Sequence, residues 1–154
     1  MMNFEQFLGQ VVVPDKNILT VYKSEVVRSP KHLKFVKRGP CSIHRDGENC
    51  NGMGHPIDPH HLMNQGGHGM ALKESDEWTV PLCRFHHNQV TVTGKEEKFW
   101  EKWDMSYEEA EQIAIFHALN SPCPNIRYKM LCNLKDEDYS DEDIRYMANV
   151  RHWM

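Results

Sequence analysis

The sequence predicts an α+β domain whose middle is ordered by a metal ion rather than by a continuous hydrophobic core. Two β-branched runs near the N-terminus predict strands, and helical periodicity begins after Gly94. Between them, residues 39–82 are rich in Gly, Pro, Asn and His and show almost no hydrophobic period. Roughly 40 irregular residues inside a compact domain require an ordering agent other than apolar burial. A bound metal supplies one.

The N-terminal part is expected to hold a β-hairpin and one short helix. Residues 11–13 and 18–22 flank the turn formers of residues 14–17. Ser29 and Pro30 then predict a helix start, and Gly39 predicts its stop. This helix has an apolar side and a basic side, formed respectively by Leu33, Phe35 and Val36 and by Lys31, Lys34, Lys37 and Arg38. The charge pattern alone favours a solvated face over one that contacts phosphate, and both interpretations stay open.

The C-terminal part is predicted to be helical. Phe99, Trp100 and Trp103 cluster on one face of a helix over about 95–103. Ser106 and Glu109 form a capping box for a second helix that ends before Pro122. Its periodic side chains are expected in the core: Tyr107, Ala110, Ile113, Ala114 and His117. Ser140 and Asp143 predict the start of a third helix that ends near Trp153.

Composition and charge bound the class of protein. With 154 residues, the chain has the length of a single domain over 1–154. It lacks both a signal-peptide pattern and an apolar run long enough for a membrane span, so we expect a cytoplasmic protein without membrane contact. Net charge is +4 over residues 1–40, −3 over 41–94 and −5 over 95–154, for a total of −4. Only the first part is therefore suited to nucleic acid, with modest and salt-sensitive affinity.

Five cysteines, an odd number, fit a disulfide framework poorly and, with ten histidines, fit a metal site in a reducing compartment. Cys83-x2-His86 is a zinc-knuckle spacing, and Cys41-x8-Cys50 supplies two more thiols for a closed Zn²⁺ site. His44 competes with Cys50, because Cys41-x2-His44 is also a knuckle, and spacing alone does not separate them. Cys123 and Cys132 are expected to be ordinary small buried residues or free thiols.

Three further histidines suggest a second, open metal site. His60 and His61 are adjacent, and His87 follows the knuckle directly. One histidine of the pair and His87 would hold a divalent ion, while the other would take a proton from water. On a strand, His60 and His61 point to opposite faces unless the strand ends or bends there, for which Pro59 gives a reason. The alternative is a single zinc site with bystander histidines.

Several motifs together resemble the phage and prophage branch of the HNH nuclease superfamily. They comprise the cysteine pair with Asn51-Gly52, the histidine pair with Leu62, the Gly66-Gly67-His68-Gly69-Met70 loop with Lys73, Asp76, and Val80-Pro81-Leu82-Cys83-Arg84-Phe85-His86-His87. Relatives include the small prophage HNH-like nucleases and the Ref-type recombination enhancement nuclease. The resemblance covers about residues 29–104, and leaves 105–154 as a helical extension.

The resemblance implies a ββα-metal (His-Me finger) core, with strands at 60–62 and 78–80 and a helix from Arg84. It implies structural zinc on Cys41, Cys50, Cys83 and His86, and so favours Cys50 over His44. His60 and His87 would bind the catalytic Mg²⁺ or Mn²⁺, with His61 as general base. Many relatives carry a second helix histidine four residues after His87; here Thr91 stands there, and Thr91 or His68 would complete the site.

The function this implies is a metal-dependent endonuclease that hydrolyses DNA phosphodiester bonds in phage recombination or replication. Lys73, with Lys34, Lys37 and Arg38, would contact the DNA backbone. A host recombinase filament is a further expected partner, since the basic surface is small. The competing class is a non-catalytic zinc-binding module that docks on nucleic acid or on a host protein.

Overall fold

The computed structural model describes residues 26–43, 56–63 and 74–149. The described part is an α+β structure with one two-stranded sheet, as the sequence predicts. Its helices are α1 (Pro30–Val36), α2 (Arg84–Thr93), α3 (Glu96–Lys102), α4 (Tyr107–Leu119), α5 (Pro124–Asp136) and α6 (Asp141–Ala148). The predicted hairpin over 11–22 lies outside the described residues, as do His44, Cys50, His68, Lys73 and Trp153.

The sheet pairs β1 (Ile57–His61) antiparallel with β2 (Thr79–Cys83), in a register that places His60 opposite Val80 and His61 opposite Thr79. Strand β1 thus begins three residues before the expected position, and β2 begins one residue after it. Trp78 instead ends a short 3-10 turn (Asp76–Trp78), which the Thr79 hydroxyl closes by donating to Asp76 O at 2.8 Å. Local side-chain bonding therefore delays the second strand.

Helix α1 is capped as predicted: the Ser29 side chain accepts a hydrogen bond from His32 N at 3.1 Å. Its buried residues are His32 and Val36, however, while Leu33 and Phe35 are only half-buried. The helix ends at Val36, and Gly39 has a role beyond stopping it. A Cβ at Gly39 would lie 2.8 Å from His117 Nε2, so this position requires the close approach that glycine allows.

Helix α4 is the centre of the core and packs against α5, α6, β2 and the 3-10 turn. Its predicted capping box is present, with Ser106 and Glu109 bonding each other's backbone, and it ends before Pro122 as expected. His117 is buried and its Nδ1 donates to Ile113 O at 2.8 Å, which confirms a core rather than a surface position. Helix α6 begins after Ser140 as predicted, and Ser140 and Asp143 form a second capping box there. That helix ends at Ala148, earlier than expected.

None of the helices in the described part is long and apolar enough to cross a membrane.

Candidate metal centre

Two thiols and one imidazole converge in the interior beside the sheet. Cys83 Sγ lies 3.1 Å from His86 Nδ1, and Cys41 Sγ lies 3.6 Å from the same nitrogen. All three residues are at most 2% exposed. In the described part of the chain, this is the only group in which three potential ligand atoms lie within 4.8 Å of one another.

The junction between β2 and α2 builds this group. Cys83 is both the last residue of β2 and the N-cap of α2, so His86 lies on the first helical turn directly above it. Cys41 comes from the segment after α1. That segment is fastened to β2 because both the amide and the hydroxyl of Ser42 donate to Pro81 O, at 2.8 and 2.7 Å.

The donor set fits a metal ion. Cysteine and histidine are zinc's preferred ligands, and here one histidine nitrogen faces both cysteine sulfurs. Cys83 N donates to Cys41 Sγ at 3.3 Å, a bond that stabilises a thiolate. The rings of Trp103 and His86 pack edge-to-face, with centroids 4.6 Å apart, and this contact helps to fix the imidazole. Cys50, the predicted fourth ligand, lies outside the described residues.

His60 and His87, the predicted ligands of the catalytic metal, lie close together, with ring centroids 5.4 Å apart. His60 is on β1 and 6% exposed, whereas His87 is on the first turn of α2 and its side chain is 38% exposed. Asp58 Oδ2 is 3.3 Å from His87 Nδ1, and the Asp58 carboxylate also accepts two hydrogen bonds from Arg84. Those bonds from Arg84 lower the pKa of Asp58, so the carboxylate is ionised at neutral pH.

A buried carboxylate holds His60. The Nε2 atom of His60 lies 2.9 Å from Glu96 Oε1, and Glu96 is 8% exposed. Glu96 also accepts hydrogen bonds from Met63 N at 2.7 Å and from Trp100 Nε1 at 3.3 Å. The His60 ring is thus fixed through Nε2, which leaves Nδ1 as the nitrogen able to bind an ion.

His61 has different partners from His60. Its Nε2 lies 2.8 Å from Asp76 Oδ1, and Asp76 also accepts from Ser29 N at 2.7 Å and pairs with Arg28 at 3.3 Å. Burial acts to raise the pKa of Asp76, but the hydrogen bonds from His61 and Ser29 outweigh it and lower that pKa. The alternation of side chains along β1 therefore separates the two histidines, as anticipated for a strand.

The remaining predicted site residues lie on the surface. Thr91 is exposed on α2, one turn beyond His87. Lys34 is exposed on α1, and Lys37 and Arg38 are exposed directly after it. Since Lys73 lies outside the described residues, the predicted DNA-contacting set is visible only in its N-terminal part.

Three carboxylates, Asp58, Glu96 and Asp76, contact the predicted histidines and were not predicted to do so. Asp58 was detectable in principle, because residues two apart on a strand share a face and Asp58 is two residues from His60. Asp76 was noted only as part of the resemblance. Nothing in the local pattern distinguishes Glu96 from the neighbouring surface acids of α3, since its burial depends on how α3 packs against α2.

Comparison with known proteins gives a family but no activity. A family model described as "Protein of unknown function (DUF968)" matches residues 13–116. The chain is also 43% identical over 61 residues to the "Uncharacterized protein YdfU" of Escherichia coli (strain K12). That match covers 39% of this chain and 15% of YdfU. No solved structure matches.

Proposed function

The chain belongs to DUF968, a family of unknown function, and we propose that it is a metal-dependent DNA endonuclease with an HNH-type ββα-metal core. One observation carries the proposal: the ring centroids of His60 on β1 and His87 on α2 lie 5.4 Å apart. They do so beside a buried Cys/His group built on the same β2–α2 junction. The order β1, β2, α2 is the order that a ββα-metal core requires.

The Cys/His group takes the structural role. Cys41, Cys83 and His86, with Cys50 as the fourth ligand, hold Zn²⁺ and fix the start of α2. Because His87 follows His86 directly, fixing this helical turn also fixes the position of His87 against β1. The structural ion thereby preorganises the neighbouring histidines.

His60 and His87 hold the catalytic Mg²⁺ or Mn²⁺ in this proposal. Such an ion would polarise the scissile phosphate and stabilise the departing 3′ oxygen. Glu96 orients His60 by accepting a hydrogen bond at Nε2, so that Nδ1 is available to the ion. The partly exposed side of His87 gives the site its opening towards a substrate.

His61 is assigned the role of general base. Asp76 accepts a hydrogen bond from Nε2, which fixes the tautomer that leaves Nδ1 free to take a proton from the attacking water. Asp76 in turn is held by Ser29 N and by Arg28, just before the basic helix α1. Lys34, Lys37 and Arg38, together with Lys73, would contact the DNA backbone.

The test is cleavage of single- and double-stranded DNA by the zinc-loaded protein in Mg²⁺ or Mn²⁺. Removing the base, in His61→Ala, should lower the rate by about 10²- to 10⁴-fold. His87→Ala should also abolish cleavage, while Asn88→Ala, an exposed neighbour on α2, should leave it unchanged. Equal rates for the parent and His61→Ala would contradict the assignment of the base.

A second function is a non-catalytic zinc-binding module that docks on nucleic acid or on a host protein. One observation favours it: among the described residues, three ligand atoms come within 4.8 Å only at the Cys/His group. Inactivity of the parent with one zinc bound per chain would support this module. Cleavage that appears only when a host recombinase filament is added would instead support the endonuclease with an obligatory partner.

A further inference from the structure

We infer that Asp58, rather than Thr91, is the third protein ligand of the catalytic ion. This inference rests on the proposed function and extends it to the identity of the ion. It assigns a ligand set of one carboxylate and two imidazoles: Asp58, His60 and His87.

The backbone brings these three side chains close to one another, although their ligand atoms do not all lie within 4.8 Å. Asp58 and His60 are two residues apart on β1, so they lie on one face of the strand. His87 approaches from the first turn of α2, 3.3 Å from Asp58 Oδ2 and 5.4 Å between ring centroids from His60. His87 therefore lies beside both partners from β1, whereas Thr91 is exposed one turn further along α2.

The three side chains differ in their exposure to solvent, in the way that an open metal site requires. The side chain of His60 is 7% exposed, that of Asp58 is 16% exposed and that of His87 is 38% exposed. The site is thus closed to solvent at His60 and open to solvent beside His87. A catalytic ion needs such an opening to retain positions for water and substrate.

Arg84 occupies the cation position next to Asp58. Its guanidinium donates to both oxygens of Asp58, at 2.9 and 3.2 Å, and its side chain is 57% exposed. A divalent ion with two positive charges would compete with this guanidinium for the carboxylate. Arg84 could then turn towards solvent beside the site, where a bidentate donor suits a phosphate group.

The chemistry of the set selects among ions. Mg²⁺ prefers all-oxygen ligands, whereas mixed carboxylate and imidazole ligands suit Mn²⁺ and other divalent transition metals. We therefore expect the site to bind Mn²⁺ more tightly than Mg²⁺.

The test is binding of Mn²⁺ to the full-length zinc-loaded protein without DNA, measured from the loss of the free-ion electron paramagnetic resonance signal. Asp58→Asn should weaken binding by about tenfold or more, at unchanged zinc content and thermal melting. Thr91→Ala should leave it within about twofold. Arg84→Gln is the matched control, because it breaks the same ion pair but keeps the carboxylate. It should bind Mn²⁺ at least as tightly as the parent.

Each other outcome is decisive. Equal weakening by Arg84→Gln and Asp58→Asn would mean that the ion pair only supports the fold, and would overturn the inference. Weaker Mn²⁺ binding in Thr91→Ala alone would also overturn the inference. Weaker binding in His87→Ala but not in Asp58→Asn would overturn it too, but the proposed endonuclease site would then stand without Asp58. If neither His87→Ala nor Asp58→Asn changed Mn²⁺ binding, the proposed function would lose its catalytic ion too. Should Asp58→Asn fail to fold, Asp58→Ser serves the same comparison.

Discussion

Single residues at the site owe their roles to partners distant in sequence. His60 and His61 are neighbours in the chain, yet Glu96 holds the first and Asp76 the second. Both carboxylates are buried, and each accepts a hydrogen bond from at least one backbone amide in addition to its contact with the histidine. A buried carboxylate with several donors is rigid, so each imidazole has a defined free nitrogen. Metal binding by His60 and proton transfer by His61, as proposed above, can serve one phosphate only where the strand ends, and His61 is the last residue of β1.

The burial of a third histidine, His32, predicts how the stability of the protein depends on pH. His32 is fully buried, with Nδ1 2.8 Å from Ser121 Oγ and Nε2 3.3 Å from Thr79 Oγ1. Burial, followed by the charge of His117, lowers its pKa to about 4, while Asp76 raises it and His61 lowers it further. The unfolded chain binds this proton near pH 6.5 and the folded protein does not, so stability falls as pH drops from about 6.5 towards 4.

The expected loss from His32 between pH 7 and pH 5 is about 2 kcal/mol, from the ordinary value of 6.5 and the lowered value near 4. Urea unfolding of the parent and of His32→Asn at both pH values measures it. Asn retains a hydrogen-bonding side chain without titrating, and it leaves the zinc ligands unchanged in both proteins. The free energy of unfolding should therefore depend less on pH in His32→Asn. Identical pH dependence in the two proteins would refute the assignment.

At the scale of elements, the β2–α2 junction is where stability and site geometry meet. We predict that Cys83→Ala loses its zinc and lowers the free energy of unfolding by about 3 kcal/mol or more, because a bound structural ion contributes folding free energy directly. For a domain of this size that is a fall in Tm of about 6–12 °C. Zinc content by elemental analysis and thermal melting measure both effects.

Cys132→Ala is the control for that experiment. Cys132 is buried on α5 and lies outside the Cys/His group, so its truncation removes apolar contacts but no ligand. It should keep a full complement of zinc and lose only a little stability. A Cys83→Ala protein that retained both zinc and melting temperature would show that the ligand set is wrong.

The sequence predicted the elements better than the contacts between them. Capping signals at Ser29, Ser106 and Ser140 located three helix starts correctly, because a cap is decided within one turn. The spacing of Cys83 and His86 also predicted, for the same local reason, that their ligand atoms lie close together, as they do. Strand limits and the carboxylates behind the histidines were not predicted, because they depend on register and on packing across dozens of residues. No sequence signal pointed to the burial of His32, because its partners Thr79 and Ser121 come from β2 and from the segment after α4.

For the whole molecule, the distribution of charge bears on the proposed contact with DNA. The exposed cations Lys31, Lys34, Lys37 and Arg38 surround α1, whereas Glu97, Glu101, Asp104 and Glu108 line one pocket beside α3 and α4. Arg28, directly before α1, pairs with Asp76, the carboxylate that contacts His61. Contacts through Arg28 and Asp76 therefore link the start of the basic helix α1 to His61, the proposed general base.

This arrangement predicts how DNA affinity depends on salt. Substituting Lys34, Lys37 and Arg38 together by Ala should weaken binding and lower the slope of log Kd against log salt by about two to three, since each phosphate contact contributes about 0.9. Substituting Lys95, Lys98 and Arg145, three other exposed cations, changes the net charge equally and should leave the slope nearly unchanged. Fluorescence anisotropy of a labelled duplex between 50 and about 200 mM salt measures both slopes. Equal slopes for the two triple variants would mean that α1 is only a solvated face and that DNA binds elsewhere on the molecule.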